Sequence, residues 1–155
     1  MMYTPTQWRD AVNGTANEIA KCMLSLDGAI VGDPSPLPET SETMVGAHIP
    51  LVGKQSFDLS FVASPAGCEA LSRAVLGFSP TDAVDAGTVA DAVGELVNML
   101  GGGVKRRIGS DLELGLPVFV SGVPRASERQ AIVAIPVKLG DVQAVVVIVG
   151  PRVAP

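Results

Sequence analysis

Asp91-Ala-Val-Gly-Glu95-Leu-Val-Asn98-Met-Leu-Gly-Gly102 carries Asp91, Glu95, Asn98 and Gly102 at helical spacing within an otherwise apolar stretch. At about 100° per residue, the four fall within about 60° of one another. Val89, Val93, Leu96, Leu100 and Val104 form a second stripe on roughly the opposite side. The pattern predicts a long amphipathic helix with one face for a core and the other for presentation. The presented face is unusual for a merely solvated one. Asn is a weak helix former because its amide competes for backbone hydrogen bonds, and Asp91 and Glu95 are like charges four residues apart. Gly101, Gly102 and Gly103 each disfavour a continuing helix by about 1 kcal/mol relative to Ala. Local rules broken together in this way mark a functional site.

Outward from this helix, Pro117 to Val123, Gln130 to Lys138 and Val142 to Val149 read as strands. The unbroken apolar run Val145 to Val149 predicts a strand covered on both faces, and Pro136 predicts an edge or a bulge. On the N-terminal side, Asp82 or Asp85 precedes the long helix, and Pro65 opens a shorter one reaching Gly77. Thr43 to Pro50 and Gln55 to Ala63 read as a hairpin around Gly53, with Phe57, Leu59 and Phe61 alternating against Asp58 and Ser60. A first helix is expected from Thr6 to Leu26, on the spacing of Trp8, Val12, Ala16, Ile19, Met23 and Leu26. Asp27 to Glu42, with Gly28, Gly32, Pro34, Pro36 and Pro38, reads as a loop. The expected fold is α+β, with long helices packed on a largely antiparallel sheet.

With 155 residues, the chain has the size of one domain spanning 1–155. Hydrophobic residues make up 47 % of it and aromatics only 4 %, so the core is expected to be aliphatic and closely packed. A net charge of −5 argues against a general binder of nucleic acid or anionic membranes and is compatible with a protein partner. No apolar run reaches membrane-spanning length and no leader-like N-terminus is evident, so no membrane association and a cytoplasmic location are expected. Cys22 and Cys68 lie far apart, with no C-x-x-C spacing and no His cluster, and read as buried reduced thiols.

The run Glu95-Leu-Val-Asn98-Met-Leu-Gly-Gly102, with Asp91 four residues ahead, resembles the Asp/Ser-x-x-x-Glu-x-x-Asn motif of the CheC/CheX/FliY chemotaxis phosphatases. It is similar above all to the CheX form, in which Met follows the Asn and Gly lies four residues beyond it. Ala70-Leu-Ser-Arg-Ala-Val-Leu-Gly77 resembles that family's preceding helix, and Gly115-Leu-Pro-Val-Phe-Val-Ser-Gly122 its following strand. The resemblance implies a CheC/CheX-like fold and a phosphatase of a phosphorylated CheY-type response regulator. Asn98 would orient a water for in-line attack on the aspartyl phosphate, and Glu95 would pair with the regulator's active-site Lys. Asp91 and Gly102 would contact the partner. Asp91 also has a plain structural reading, because an acid near a helix N-terminus meets the macrodipole. Mg²⁺ is expected on the partner receiver, with no metal or other cofactor held by this chain. CheX-like proteins join sheets into homodimers, so a homodimer is implied as well.

The first half of the chain lacks a second such site, since Glu18 is followed three residues later by Lys21 instead of Asn. Gly101 to Arg107 is glycine-rich and basic but lacks the spacing of a phosphate loop. Lys105, Arg106 and Arg107 read as C-terminal cations facing the macrodipole, or as contacts to an acidic partner. His48 is the only histidine and reads as a half-buried strand residue. A non-catalytic adaptor for a receiver domain or flagellar switch partner would use the same face, and a third reading, a purely structural α+β domain, predicts no receiver binding at all.

Overall fold

A computed structural model describes residues 2–37, 43–109 and 111–152. Three helices and seven strands follow in the order α1 (Pro5–Cys22), β1 (Ala29–Val31), β2 (Val45–Val52), β3 (Phe57–Ala63), α2 (Pro65–Leu76), α3 (Ala86–Ile108), β4 (Glu113–Leu114), β5 (Val118–Ser121), β6 (Gln130–Leu139) and β7 (Val142–Pro151). The strands form one antiparallel sheet in the order β1-β6-β7-β3-β2-β4, with β5 also pairing β2. The helices pack on one face of it, as expected for an α+β fold.

Each helix begins where its sequence supplies a cap. Thr4 and Gln7 form a reciprocal capping box ahead of α1, at 3.1 and 2.8 Å. Ser64 accepts from Gly67 N at 3.0 Å ahead of α2, with Pro65 in the first turn. Asp85 accepts from Thr88 N at 2.7 Å ahead of α3, and this bond holds its carboxyl below the usual carboxylate range. Gly77 closes α2 in the left-handed conformation, at φ 71°.

α1 stops at Cys22, four residues before the expected Leu26. Leu26 N donates to Ala20 O at 2.9 Å, and Ser25 between them adopts φ 53°. Leu24 is buried and Leu26 packs against the core, so the apolar spacing runs on after the helix has ended.

Asp27 to Glu42 is not wholly a loop. Ala29 to Val31 pairs with Leu139 to Val137 as an edge strand, anchored by Ala29 N to Asn17 Oδ1 at 3.0 Å and Arg9 Nη2 to Val31 O at 3.0 Å. Residues 38–42 of that segment lie outside the described residues. Pro136 stands in β6 beside the end of β1, where Gly32 N donates to its carbonyl at 2.8 Å. N–H and C=O of one strand residue point the same way, so the missing Pro136 N–H faces the side where β1 breaks off.

The core lies between the helices and the inner face of the sheet. Trp8, Val12, Val93, Leu96 and Val97 from the helices meet Ile49, Leu51, Leu59, Phe61, Ile135 and Ile148 from the strands, all nearly inaccessible to solvent. Tyr3, Trp8 and Phe57 add an aromatic corner, with Trp8 edge-on to both at 5.5 and 5.0 Å. Val147 and Val149 on the outer face are also buried, and Val145 partly so, which matches the strand expected to be covered on both sides. On that outer face, Val120 to Arg125 closes over His48, Asp58, Ser60 and Val149 around a pocket of about 280 Å³. β6 and β7 turn tightly at Gly140, whose φ of 61° suits a two-residue hairpin connection.

The two thiols differ. Both are free, and Cys68 is buried as expected, but Cys22 is exposed near the end of α1. Its helical position turns it away from the stripe formed by Trp8, Val12, Ile19 and Ala20. No described helix is long and apolar enough to cross a membrane.

Candidate functional site

α3 runs unbroken through the glycine triplet to Ile108 and buries Val89, Val93, Leu96, Val97, Leu100 and Val104 against α1, α2 and β2. That packing fixes its rotation. Asp91 and Glu95 are exposed, and Asn98 and Gly102 are half-buried, along one stripe turned away from the core. Glu95 and Asn98, three residues apart, are neighbours on the helix surface. Among the described residues, nothing forms a hydrogen bond or ion pair with the side chains of Asp91, Glu95 or Asn98. Asp91 does not cap the helix, because Asp85 holds that role six residues earlier. Its macrodipole reading weakens accordingly, since the effect falls off within the first turn.

The three glycines have different reasons to be there. A β-carbon on Gly101 would sit 3.0 Å from Ile49 Cγ2 and 3.2 Å from Leu114 Cδ2, so Gly101 lets α3 settle on β2 and β4. A β-carbon on Gly103 would overlap Thr15, so Gly103 lets α1 approach. Gly102 has no such neighbour. Its β-carbon would meet Arg106 Nη1 and Leu114 Cδ1 at 3.7 Å, an ordinary contact. The glycine on the polar stripe is therefore the one that internal packing does not require.

The basic end of α3 is partly committed. Arg107 Nη2 pairs with Glu18 Oε1 at 2.6 Å, while its Nη1 donates to Thr15 Oγ1 at 3.2 Å and Gly103 O at 3.3 Å. Glu18 thus joins α1 to α3 and belongs to no second Glu-x-x-Asn face. Arg106 reaches Glu18 only at 4.0 Å and stays largely exposed. Among the described residues, no three His, Cys, Asp or Glu side chains converge to hold a metal ion. His48 is half-buried on β2, opposite Ser60, on the sheet face away from α3.

The segment that flanks this stripe was expected only from Gly115 onward, as a following strand, and its first part, Glu113–Leu114, was not singled out from sequence. β4 pairs Leu114 with Leu51, Gly115 N donates to Pro50 O at 2.9 Å, and Pro117 lies 4.0 Å from the position of a β-carbon on Gly94. A two-residue strand carries too little alternation to show itself. The adjoining Gly115-Leu-Pro117 was its only local signal.

A family model described as chemotaxis phosphatase CheX matches residues 45–138, which contain all of α3. No curated protein matches the chain in sequence. Among solved structures, chemotaxis protein CheX from Vibrio vulnificus superposes with a TM-score of 0.73 at 22 % identity, covering 92 % of this chain and 97 % of that one. A CheC-like superfamily protein from Shewanella sp. PV-4 gives 0.76 at 21 % identity, with 96 % and 100 % covered. A chain of the CheX-CheY-BeF3-Mg²⁺ complex from Borrelia burgdorferi gives 0.71 at 17 % identity, with 96 % and 97 % covered. At these identities the solved structures establish a common fold, while the family model spans more than half of the sequence. The chain belongs to the CheX family of chemotaxis phosphatases.

Proposed function

We propose that this protein dephosphorylates the aspartyl phosphate of a CheY-type response regulator by laying α3 across the regulator's active site. The observation that carries the reading is the stripe itself: Glu95 and Asn98 lie side by side on a rigid, core-packed helix, unbonded to any described residue. Glu95 pairs with the regulator's active-site Lys and fixes the docking. Asn98 enters beside the phosphoryl group, its amide oxygen accepting from a water and its nitrogen free to donate. The water oxygen attacks phosphorus in line as the bond to the Asp oxygen breaks. The regulator's carboxylate is restored, and phosphate leaves with the proton lost by the water.

Such a reaction asks mainly for positioning and charge stabilisation, because its transition state is loose. A neutral amide suffices for the first. Mg²⁺ on the regulator supplies the second by offsetting phosphoryl charge. The relative solved as a CheX-CheY-BeF3-Mg²⁺ complex supports a partner of this kind. Asp91 and Gly102 complete the contact surface, Gly102 by leaving its backbone open to approach. A homodimer belongs to the same proposal on the family resemblance alone. The sheet offers β1 at one end and β4 with β5 at the other, where backbone groups have no second strand among the described residues.

The test is the decay of a phosphorylated CheY-type receiver from the same genome, with and without this protein and its Asn98→Ala variant. Faster decay with the protein, lost in the variant, is the expected result. Binding without acceleration would identify an adaptor. Neither binding nor acceleration with any receiver would leave the helix face without this function.

A further inference from the structure

Leu116 has the highest exposure of any large hydrophobic side chain among the described residues, at 82 %. Its backbone is held on both sides. Leu114 pairs with Leu51, Gly115 bonds to Pro50, and Val118 pairs with His48, so Leu116 has a fixed position on the surface. That position follows from its neighbours. Leu114 lies against Gly101 and Gly102, and Pro117 lies beside Gly94. Seven residues of helix rise about 10 Å, and three extended residues span about the same length. Residues 114–117 therefore run alongside α3 in the opposite direction, and Leu116 stands level with the turn that carries Glu95 and Asn98.

A single exposed Leu on a surface is ordinary. This one is followed by Phe119, 37 % exposed and paired with the core residue Ala47 on the helix side of the sheet, and it borders an unbonded polar pair. Exposed apolar side chains bordered by polar ones are the composition of a protein-binding patch.

We infer that Leu116 is an apolar docking contact for the same regulator, packing on its surface beside the phosphorylated site and setting affinity without touching the chemistry. The inference rests on the proposed phosphatase reading. Its occupant follows from continuity: Asn98 is half-buried, so a body close enough to take its amide into an active site must also cover the more prominent Leu116. A second copy of the chain on this strip would block the stripe instead.

The test measures turnover of the phosphorylated receiver at a series of concentrations for the full chain, Leu116→Ala and Leu116→Met. Leu116→Ala is expected to raise KM about 10-fold with kcat unchanged, which corresponds to about 1.4 kcal/mol of binding. Leu116→Met should stay close to the parent. An unaltered melting temperature will show that the fold is intact, as expected for a side chain this exposed. An unchanged KM overturns the inference, and so does a shift from dimer to monomer in sedimentation, which would assign Leu116 to contact between copies. Should the parent bind the receiver without hydrolysing it, the phosphatase reading fails alone. Titration with the beryllofluoride-loaded receiver then decides Leu116, with weaker binding by Leu116→Ala supporting it and equal binding overturning it. No binding by the parent removes both.

Discussion

Gly103 of α3 lies so close to Thr15 of α1 that a β-carbon at position 103 would overlap the Thr15 side chain. Thr15 cannot easily yield. It is buried, donates to Ala11 O at 2.8 Å and accepts from Arg107 at 3.2 Å. Gly102, one residue away, faces outward with room for a methyl group.

Opposite outcomes are therefore expected from the same substitution at adjacent positions. Gly102→Ala removes a helix-interior glycine without a clash and should stabilise the fold by up to about 1 kcal/mol, raising the melting temperature by about 2–4 °C. Gly103→Ala gains the same propensity but overpacks the α1–α3 contact, for a net loss of about 1–2 kcal/mol. Thermal melts followed by circular dichroism separate the two. If docking uses the Gly102 surface as proposed, the stabler Gly102→Ala protein will also have the higher KM for phosphorylated receiver.

Glu18 and Arg107 give a second measurable link between α1 and α3. Their 2.6 Å contact is partly exposed, at 56 % and 29 % of the two side chains, so Glu18→Ala should cost about 0.2–1 kcal/mol and less at high salt. Arg107→Ala should cost more, because the guanidinium also bonds Thr15 and Gly103 and its stem covers Gly14. A double-mutant cycle by urea denaturation reads the coupling. Neither substitution lies on the Glu95–Asn98 stripe, so kcat should not change.

Much of this architecture was legible because long elements repeat their signal. The 23-residue α3 shows its period six times over, and Phe57 to Phe61 shows strict alternation. Short elements were missed for the complementary reason. Ala29–Val31 is defined by partners more than 100 residues away on β6, and its own three residues sit among the glycines and prolines of a loop. Glu113–Leu114 is recognisable only by its pairing with Leu51 and Val52. The extra residues assigned to α1 have a different cause, since Leu24 and Leu26 are apolar for the core and not for the helix. At the site, the residues of the stripe could be named from spacing. Their outward face followed from the opposite stripe of Val89, Val93, Leu96, Leu100 and Val104, which is buried as expected, whereas Leu116 needed the fold to bring it alongside.

The two cysteines should react differently. Cys68 is inaccessible, and burial pushes its thiol up to about 11 from an ordinary 9.0, whereas Cys22 is exposed. At pH 8 a disulfide reagent should modify one thiol per native chain and two after denaturation. The raised value also has a sign for stability. Folded Cys68 keeps its proton where the unfolded chain loses it, so stability is unaffected below about pH 8.5 and falls between there and about pH 11. Cys68→Ala should flatten that alkaline decline, which urea titrations across this range will show.

Glu95 and Asn98 should separate association from chemistry. Glu95 is exposed in the free protein and, in the proposed complex, is buried against the regulator's Lys. Its reversal, Glu95→Lys, leaves two like charges in the contact and should weaken binding of a beryllofluoride-loaded receiver at least about 30-fold. Asn98→Ala removes a positioning amide and no charge. It should lower kcat about 100-fold, the scale of a misplaced reactant, while receiver affinity changes only about 2–3-fold. The contrast matters more than either value. Because both side chains are unbonded to any described residue, neither substitution removes a hydrogen bond or ion pair of the fold, and similar melting temperatures should accompany the two kinetic effects. If Asn98→Ala loses affinity as strongly as Glu95→Lys and keeps its kcat, the amide is a docking group and the water must be positioned by the regulator itself.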